Sequence, residues 1–167
     1  MNLKVYHGST FIVKEPNIEM VNSRTDFGKG FYTTSNYEQA KKWSKIKKDR
    51  LDEKVNMYVN IYEYTEDETL NILVFKEATE EWVKFVFLNR YSNVLVHEYD
   101  IVKGPVADDN VYTTLNFYED KVYTLEETIK RLKTYVLVDQ ISFHTKKALE
   151  SLKYIETIEI EGSVKNG

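Results

Sequence analysis

The sequence predicts an α+β protein in a single domain, and three observations support this. Short stretches of alternating apolar residues, the mark of half-buried strands, are mixed with longer segments of helical period. The two kinds do not follow the regular strand–helix–strand order that a doubly wound parallel sheet requires. At 167 residues the chain is long enough for one hydrophobic core, and it contains no internal repeat and no low-complexity segment. The domain is expected to span 1–162, with 163–167 as a frayed tail or a remnant of cloning.

The elements follow in order. LKVYHGS is a short strand with Leu3 and Val5 on one face and Lys4 and Tyr6 on the other. Residues 9–25 carry Pro16 and several turn formers, and read as loop with a short apolar stretch at Ile18–Val21. GFYTT is a second strand, entered through Gly28 and Gly30. Ser35–Asn36 offers an N-cap, and Tyr37, Ala40, Trp43 and Ile46 follow at helical spacing until the basic stretch KIKKDR at 45–50. Val55–Tyr64 alternates most clearly of all, and Thr69–Phe75 is a shorter strand. Thr79–Tyr91 is an amphipathic helix with Trp82, Phe85, Val86 and Asn89 on one face. Asp100–Lys103 is a strand stopped by Gly104–Pro105. Asp109–Tyr118 and Thr124–Lys133 are short helices, the second opening on a Thr-x-x-Glu capping box. Val136–Phe143 reads as a buried strand, Thr145–Leu152 as a helix capped by Thr145, and Tyr154–Ile160 as the last strand.

Composition excludes several classes of function. A net charge of −4 argues against broad nonspecific nucleic-acid binding, which needs a positive surface, though a local basic groove stays open. The absence of cysteine removes disulfides, thiolate catalysis and cysteine-based zinc sites together. No run approaches the roughly 18 apolar residues of a membrane span, so no membrane association is expected. MNLKVYHGST lacks the basic segment and apolar core of a signal peptide, which makes cytoplasmic location the expectation. Aromatic residues make up 14% of the chain, with 13 tyrosines, a side chain suited to half-buried strands and to concave ligand surfaces alike.

Three histidines do not make a metal site, since no pair stands at i, i+4 or in a His-x-His arrangement. His97, beside Glu98 in a polar loop, reads as solvated surface, and His144, just before a helix cap, as a structural histidine. His7-Gly8-Ser9 says more: an imidazole at a strand end, followed by glycine, stands beside open backbone. DFGKGFYTT at 26–34 repeats that character, with glycine again where loop meets strand. Two such junctions within 34 residues suggest two strand ends around one ligand.

His7-Gly8, followed by Gly28-x-Gly30-Phe31-Tyr32 opening a strand before a helix, resembles the ADP-ribosyltransferase superfamily, in its branch with a His–Tyr–Glu type signature. The wider series YHGS…DFGKGFYTT…GPVADD…DQISFHTKKAL resembles a bacterial family of standalone domains from toxin–antitoxin or defence-type gene neighbourhoods, over Lys4 to Ile155. The resemblance implies a split β-sheet core with peripheral helices and NAD+ as substrate, with no metal. It implies that His7 bonds the adenosine ribose, that Gly8 backbone holds the nicotinamide amide, and that Tyr32 stacks on the nicotinamide ring. Gly28 and Gly30 would let the chain approach the dinucleotide, with Ser9 and Phe31 beside it.

The third position of the signature, usually glutamate, matches Gln140 in VDQISFHT. Asp139 is adjacent, but a shift of one residue sends its side chain to the opposite face. Glutamine offers a carbonyl dipole where glutamate offers a full charge to an oxocarbenium-like transition state. Arg24 and Lys29 flank the glycine loop and could contact the pyrophosphate, or be solvated loop charges. Asp26 is expected to fix the loop by an Asx-type bond to following backbone. The implied function is ADP-ribose transfer from NAD+ to a macromolecular acceptor, protein or nucleic acid, by a toxin or defence effector with a cognate antitoxin. Two alternatives stand beside it: a weak or inactive relative that binds NAD+, ADP-ribose or nucleic acid as a sensor, and a small partner-binding domain.

Overall fold

A computed structural model describes residues 2–18, 25–51, 54–92, 95 and 97–161. Arg24, most of Ile18–Val21 and the tail at 163–167 lie outside these residues. The fold is α+β. Its strands form two sheets. β1 (Asn2–Ser9), β3 (Tyr58–Thr65) and β7 (Leu152–Glu159) make a three-stranded antiparallel sheet with β3 in the centre. β2 (Phe31–Thr33), β6 (Asp139–Phe143), β5 (Ile101–Pro105) and β4 (Ile72–Val74) make a four-stranded sheet in that order, antiparallel except for β4 with β5. Among the described residues one isolated bridge, Tyr6 to Thr34, ties the two sheets together at β1 and just past β2.

Strand alternation sorts the side chains into layers. Val5, Phe31, Tyr62, Tyr64, Ile101, Ile141 and Phe143 fill the space between the sheets. On its outer face the four-stranded sheet packs Phe27 and Val102 against α2 (Glu80–Arg90), α3 (Asp109–Glu119) and α4 (Leu125–Leu132), with Trp82, Val86, Val111, Leu115 and Leu132 buried there. The outer face of the three-stranded sheet is covered by α1 (Tyr37–Asp49), where Ala40 meets Val59 and Ile61. The short α5 (Lys146–Leu149) links β6 to β7.

The helix starts follow their capping residues. Asn36, Thr79, Asp108, Thr124 and Thr145 each accept a hydrogen bond from a backbone N–H in the first turn of α1 to α5 in turn. Three segments depart from the pattern read in the sequence, and the first is β5, which runs through Gly104 and Pro105 because both still pair with β6. Val136 is 96% exposed rather than part of a buried strand, because β6 begins only at Asp139, opposite Pro105, where its partner β5 ends. The helix after Thr145 ends at Leu149, and Leu152 already belongs to β7.

Candidate functional site

The entry to β2 is held by side chains of its own and of distant segments. Gly28 adopts φ +90°, a left-handed conformation that glycine takes without strain. An added Cβ there would lie 2.9 Å from Asn89 Oδ1 and 2.8 Å from Leu95. The Tyr32 hydroxyl turns back on its own loop, accepting from Phe27 N at 2.9 Å and donating to Gly28 O at 2.5 Å. Thr25 Oγ1 donates to the same carbonyl at 2.6 Å.

All three histidines of the chain hold carbonyls of this one segment. His97 Nε2 donates to Phe27 O at 2.7 Å, while its Nδ1 accepts from Tyr99 N, which fixes the tautomer. His144 Nδ1 bonds Lys29 O at 2.8 Å, with Ser142 Oγ at 2.7 Å from its other nitrogen. His7 Nδ1 bonds Tyr32 O at 2.7 Å. Burial lowers the pKa of each: well below the usual value for His7, to about 4 for His144, and in the same direction for His97. His97 is therefore not solvated surface. Its partner is 70 residues away in sequence, so the local context of Glu98 concealed it.

Asp26, at the start of the loop, does not make the expected turn bond to following backbone. Its buried carboxylate accepts from Ala107 N at 2.9 Å, Tyr112 Oη at 2.5 Å and Gln140 Nε2 at 2.8 Å. The Arg90 guanidinium stacks on the Tyr112 ring, 3.5 Å from its centroid. Burial pushes the Asp26 carboxyl up, against the opposing pull of Tyr112, Ala107, Gln140 and Arg90. Gln140 also donates to Pro105 O at 3.1 Å, and is 2% exposed. Both hydrogens of its amide group are thus engaged in holding the loop to the sheet.

Strand alternation then separates the residues expected to act together. Tyr32 pairs with Ser142, so Tyr32, Ser142 and Gln140 share the helix-covered face of the four-stranded sheet. Phe31 and Ile141 point the other way, between the sheets, and Asp139 shares their face. His7 lies on that inner side, its ring stacked on Phe31 at 4.1 Å between centroids. Tyr32 and Gln140 come together. His7 meets Tyr32 through the Tyr32 carbonyl, and Asp139 shares its sheet face at the other end of β6, beside Ser35.

Ser35, just past β2, holds Asp139 by its hydroxyl and by its backbone N–H, the latter at 3.2 Å. Two residues on, the Tyr37 ring meets Tyr6 edge-on at 5.5 Å, both rings partly exposed. An open groove of about 310 Å³ reaches this end of the cleft, lined by Leu3, Lys103, Asp139 and Ile141 among others.

Gly8 lies at the other side of the bridge. Tyr6 exchanges both backbone bonds with Thr34, at 2.8 and 2.9 Å, so alternation turns the N–H and C=O of Gly8 to the same edge. The Gly8 carbonyl accepts from Lys47 Nζ at 2.6 Å. A Cβ at Gly8 would stand 1.8 Å from Ala40 O, so only glycine lets α1 pack here. Ser9 is buried and accepts from Phe11 N, a local turn bond. The side chain of Lys29 is exposed.

Sequence reasoning missed Asp139 and Lys47 as members of this region. For Asp139 the signal was present, a carboxylate one residue from the matched position, but not the face on which His7 sits. Lys47 lay inside a basic stretch that reads as a solvated helix face. Among the described residues no group of three or more His, Asp or Glu side chains could hold a metal, and no helix is long and apolar enough to cross a membrane.

Fold and site together define a class: a two-sheet α+β domain whose glycine-rich strand entry is pinned by histidines from three separate places in the chain. The chain belongs to the family described as "Protein of unknown function (DUF3990)", whose model matches residues 3–154. No curated protein and no solved structure matches it.

Proposed function

We propose that the protein is an ADP-ribosyltransferase that takes NAD+ at the junction of β1, β2 and β6 and transfers ADP-ribose to a macromolecular acceptor, releasing nicotinamide. One observation carries the reading: His7 and the Asp139 carboxylate share the inner face of the sheets, one on each side of the Tyr6–Thr34 bridge, on strands joined through β2. The chemistry requires the bond between C1′ of the ribose and the nicotinamide nitrogen to break, with positive charge growing on the sugar. A carboxylate held in place stabilises that charge without reorganising. Asp139, fixed by Ser35, supplies it. Gln140, the match made in the sequence, is neutral and is engaged in bonds to Asp26 and Pro105.

His7 is kept neutral by burial, and its Nδ1 proton is given to Tyr32 O. Its Nε2 is then an acceptor for a ribose hydroxyl. The backbone edge at Gly8 offers an N–H to a carboxamide. The acceptor nucleophile bonds C1′ and loses its proton as nicotinamide leaves with the bonding pair. A toxin or defence role, with a cognate antitoxin covering the cleft, belongs to the same proposal and rests on the sequence resemblance.

The test is incubation of purified protein with labelled NAD+ and cell lysate. The reading predicts label on a macromolecule and free nicotinamide in solution. Absence of both, with NAD+ shown to bind, would leave the second reading. In that case the domain is a sensor that binds NAD+ or ADP-ribose without turnover, a reading favoured by the structural use of Gln140 at the expected acid position.

A further inference from the structure

Lys47 differs from three other lysines of α1. Lys41, Lys42 and Lys45 of the same helix are exposed, whereas Lys47 runs back toward the sheet and donates to Gly8 O at 2.6 Å. None of the ion pairs among the described residues includes it. Among the described residues the charged or titratable groups that act on it are Arg50, which caps the end of α1, and His7 on β1. The β3 residues opposite His7 and Gly8 are Asn60 and Val59, which carry no charge. Half-buried, with the Gly8 carbonyl as its partner, the ammonium has lost part of its hydration, and an anion is the group that would offset that cost.

We propose that Lys47 is the cation of a phosphate-binding subsite at the C-terminal end of β1, beside the Gly8 edge. The inference rests on the proposed function, in which a dinucleotide enters at this strand end, and it names the residue that meets the ligand's phosphates. The chemistry is that of a phosphoryl group, from the pyrophosphate of a dinucleotide or from a free phosphate-class anion. Lys47, rather than the exposed Lys29, supplies the charge-assisted donor.

Protonation links to binding in a definite direction. Burial, with Arg50 adding to it, lowers the Lys47 pKa to about 8. Only the charged amine attracts phosphate, so affinity is full well below pH 8 and falls as pH rises through it. His7, whose pKa is lowered well below its usual value, stays neutral over that range and does not contribute to the change.

Titration calorimetry of the full chain with ADP-ribose, inorganic pyrophosphate and nicotinamide, at pH 7 and pH 9, tests this. Wild type is expected to bind both phosphate ligands more weakly at pH 9. Lys47→Gln should lose about tenfold to a hundredfold in affinity for them at pH 7, the range of one charge-assisted bond, and should lose the pH effect. Lys47→Arg, which keeps the charge, should retain binding at both pH values. Nicotinamide affinity should not change in either variant. Unchanged affinity for ADP-ribose and pyrophosphate in a folded Lys47→Gln protein overturns the subsite. So does tighter nicotinamide binding with phosphate affinity unaltered, which makes Lys47 a plug on the Gly8 carbonyl. Binding of pyrophosphate alone by wild type, lost in Lys47→Gln, points to a free anion as the ligand and upholds the subsite. If wild type releases nicotinamide from NAD+ yet Lys47→Gln binds ADP-ribose normally, the subsite fails and the enzyme reading stands. If wild type binds neither phosphate ligand, the subsite fails, and the NAD+ assay judges the enzyme reading by itself.

Discussion

Gln140 shows how much a single residue can be constrained by groups that only accept. Its amide faces the Asp26 carboxylate at 2.8 Å and the Pro105 carbonyl at 3.1 Å. Gln140→Glu, the change that restores the usual acid of the sequence signature, places two carboxyl groups at that distance inside the fold. One of them must take a proton or the loop must move. The variant should lose about 2–3 kcal/mol of stability near neutral pH, read from urea midpoints. Because the shared proton raises a folded-state pKa, the deficit should shrink as pH is lowered. A midpoint equal to wild type at pH 7 would contradict the hydrogen-bond assignment. Asp139 carries the complementary lesson. The sequence displays it next to Gln140, and period-two alternation says that the two face opposite ways. What the sequence withholds is which way His7 faces, since that depends on how two sheets joined by one bridge are stacked.

At the scale of elements, the segment leading into β2 is held by side chains from β1, from the loop before β5 and from the end of β6. All three clamps are histidines with lowered pKa values. The unfolded chain takes up protons on histidine near pH 6.5 while the folded chain resists. Stability is therefore fully present above pH 6.5 and declines as pH falls below it. His144 alone, with its pKa near 4, accounts for about 2 kcal/mol of loss at pH 5. Asp26, with its raised carboxyl pKa, works in the opposite sense at lower pH. Urea midpoints from pH 7.5 to 5 should fall, and the slope should lessen in His144→Gln. A flat profile over that range would remove the clamp from the account. Element starts were legible because capping is local: Asn36, Thr79, Thr124 and Thr145 each bond within three residues. The clamps were not, because their partners lie 25, 70 and 115 residues away. The start of β6 was misplaced for a related reason, since it is set by where β5 ends at Pro105 rather than by the apolar run Val136–Val138.

Over the whole molecule, two sheets bridged at Tyr6 and Thr34 leave an edge where β1 and β2 part. His7, Gly8 and Lys47 lie on one side of that bridge, and Ser35 and Asp139 on the other. The α+β class was readable from the mixture of periods. The arrangement as two sheets was carried by the resemblance, and the division of the site between two faces emerged only from the packing. The central claim is that the inner face does the chemistry, while the outer face holds the loop together with the inner His7. Nicotinamide release from NAD+ by wild type and Asp139→Asn tests it most directly. The account predicts that Asp139→Asn lowers kcat by about a hundredfold or more with NAD+ affinity retained, as expected when a transition-state charge is removed. Turnover by Asp139→Asn at the wild-type rate would contradict it.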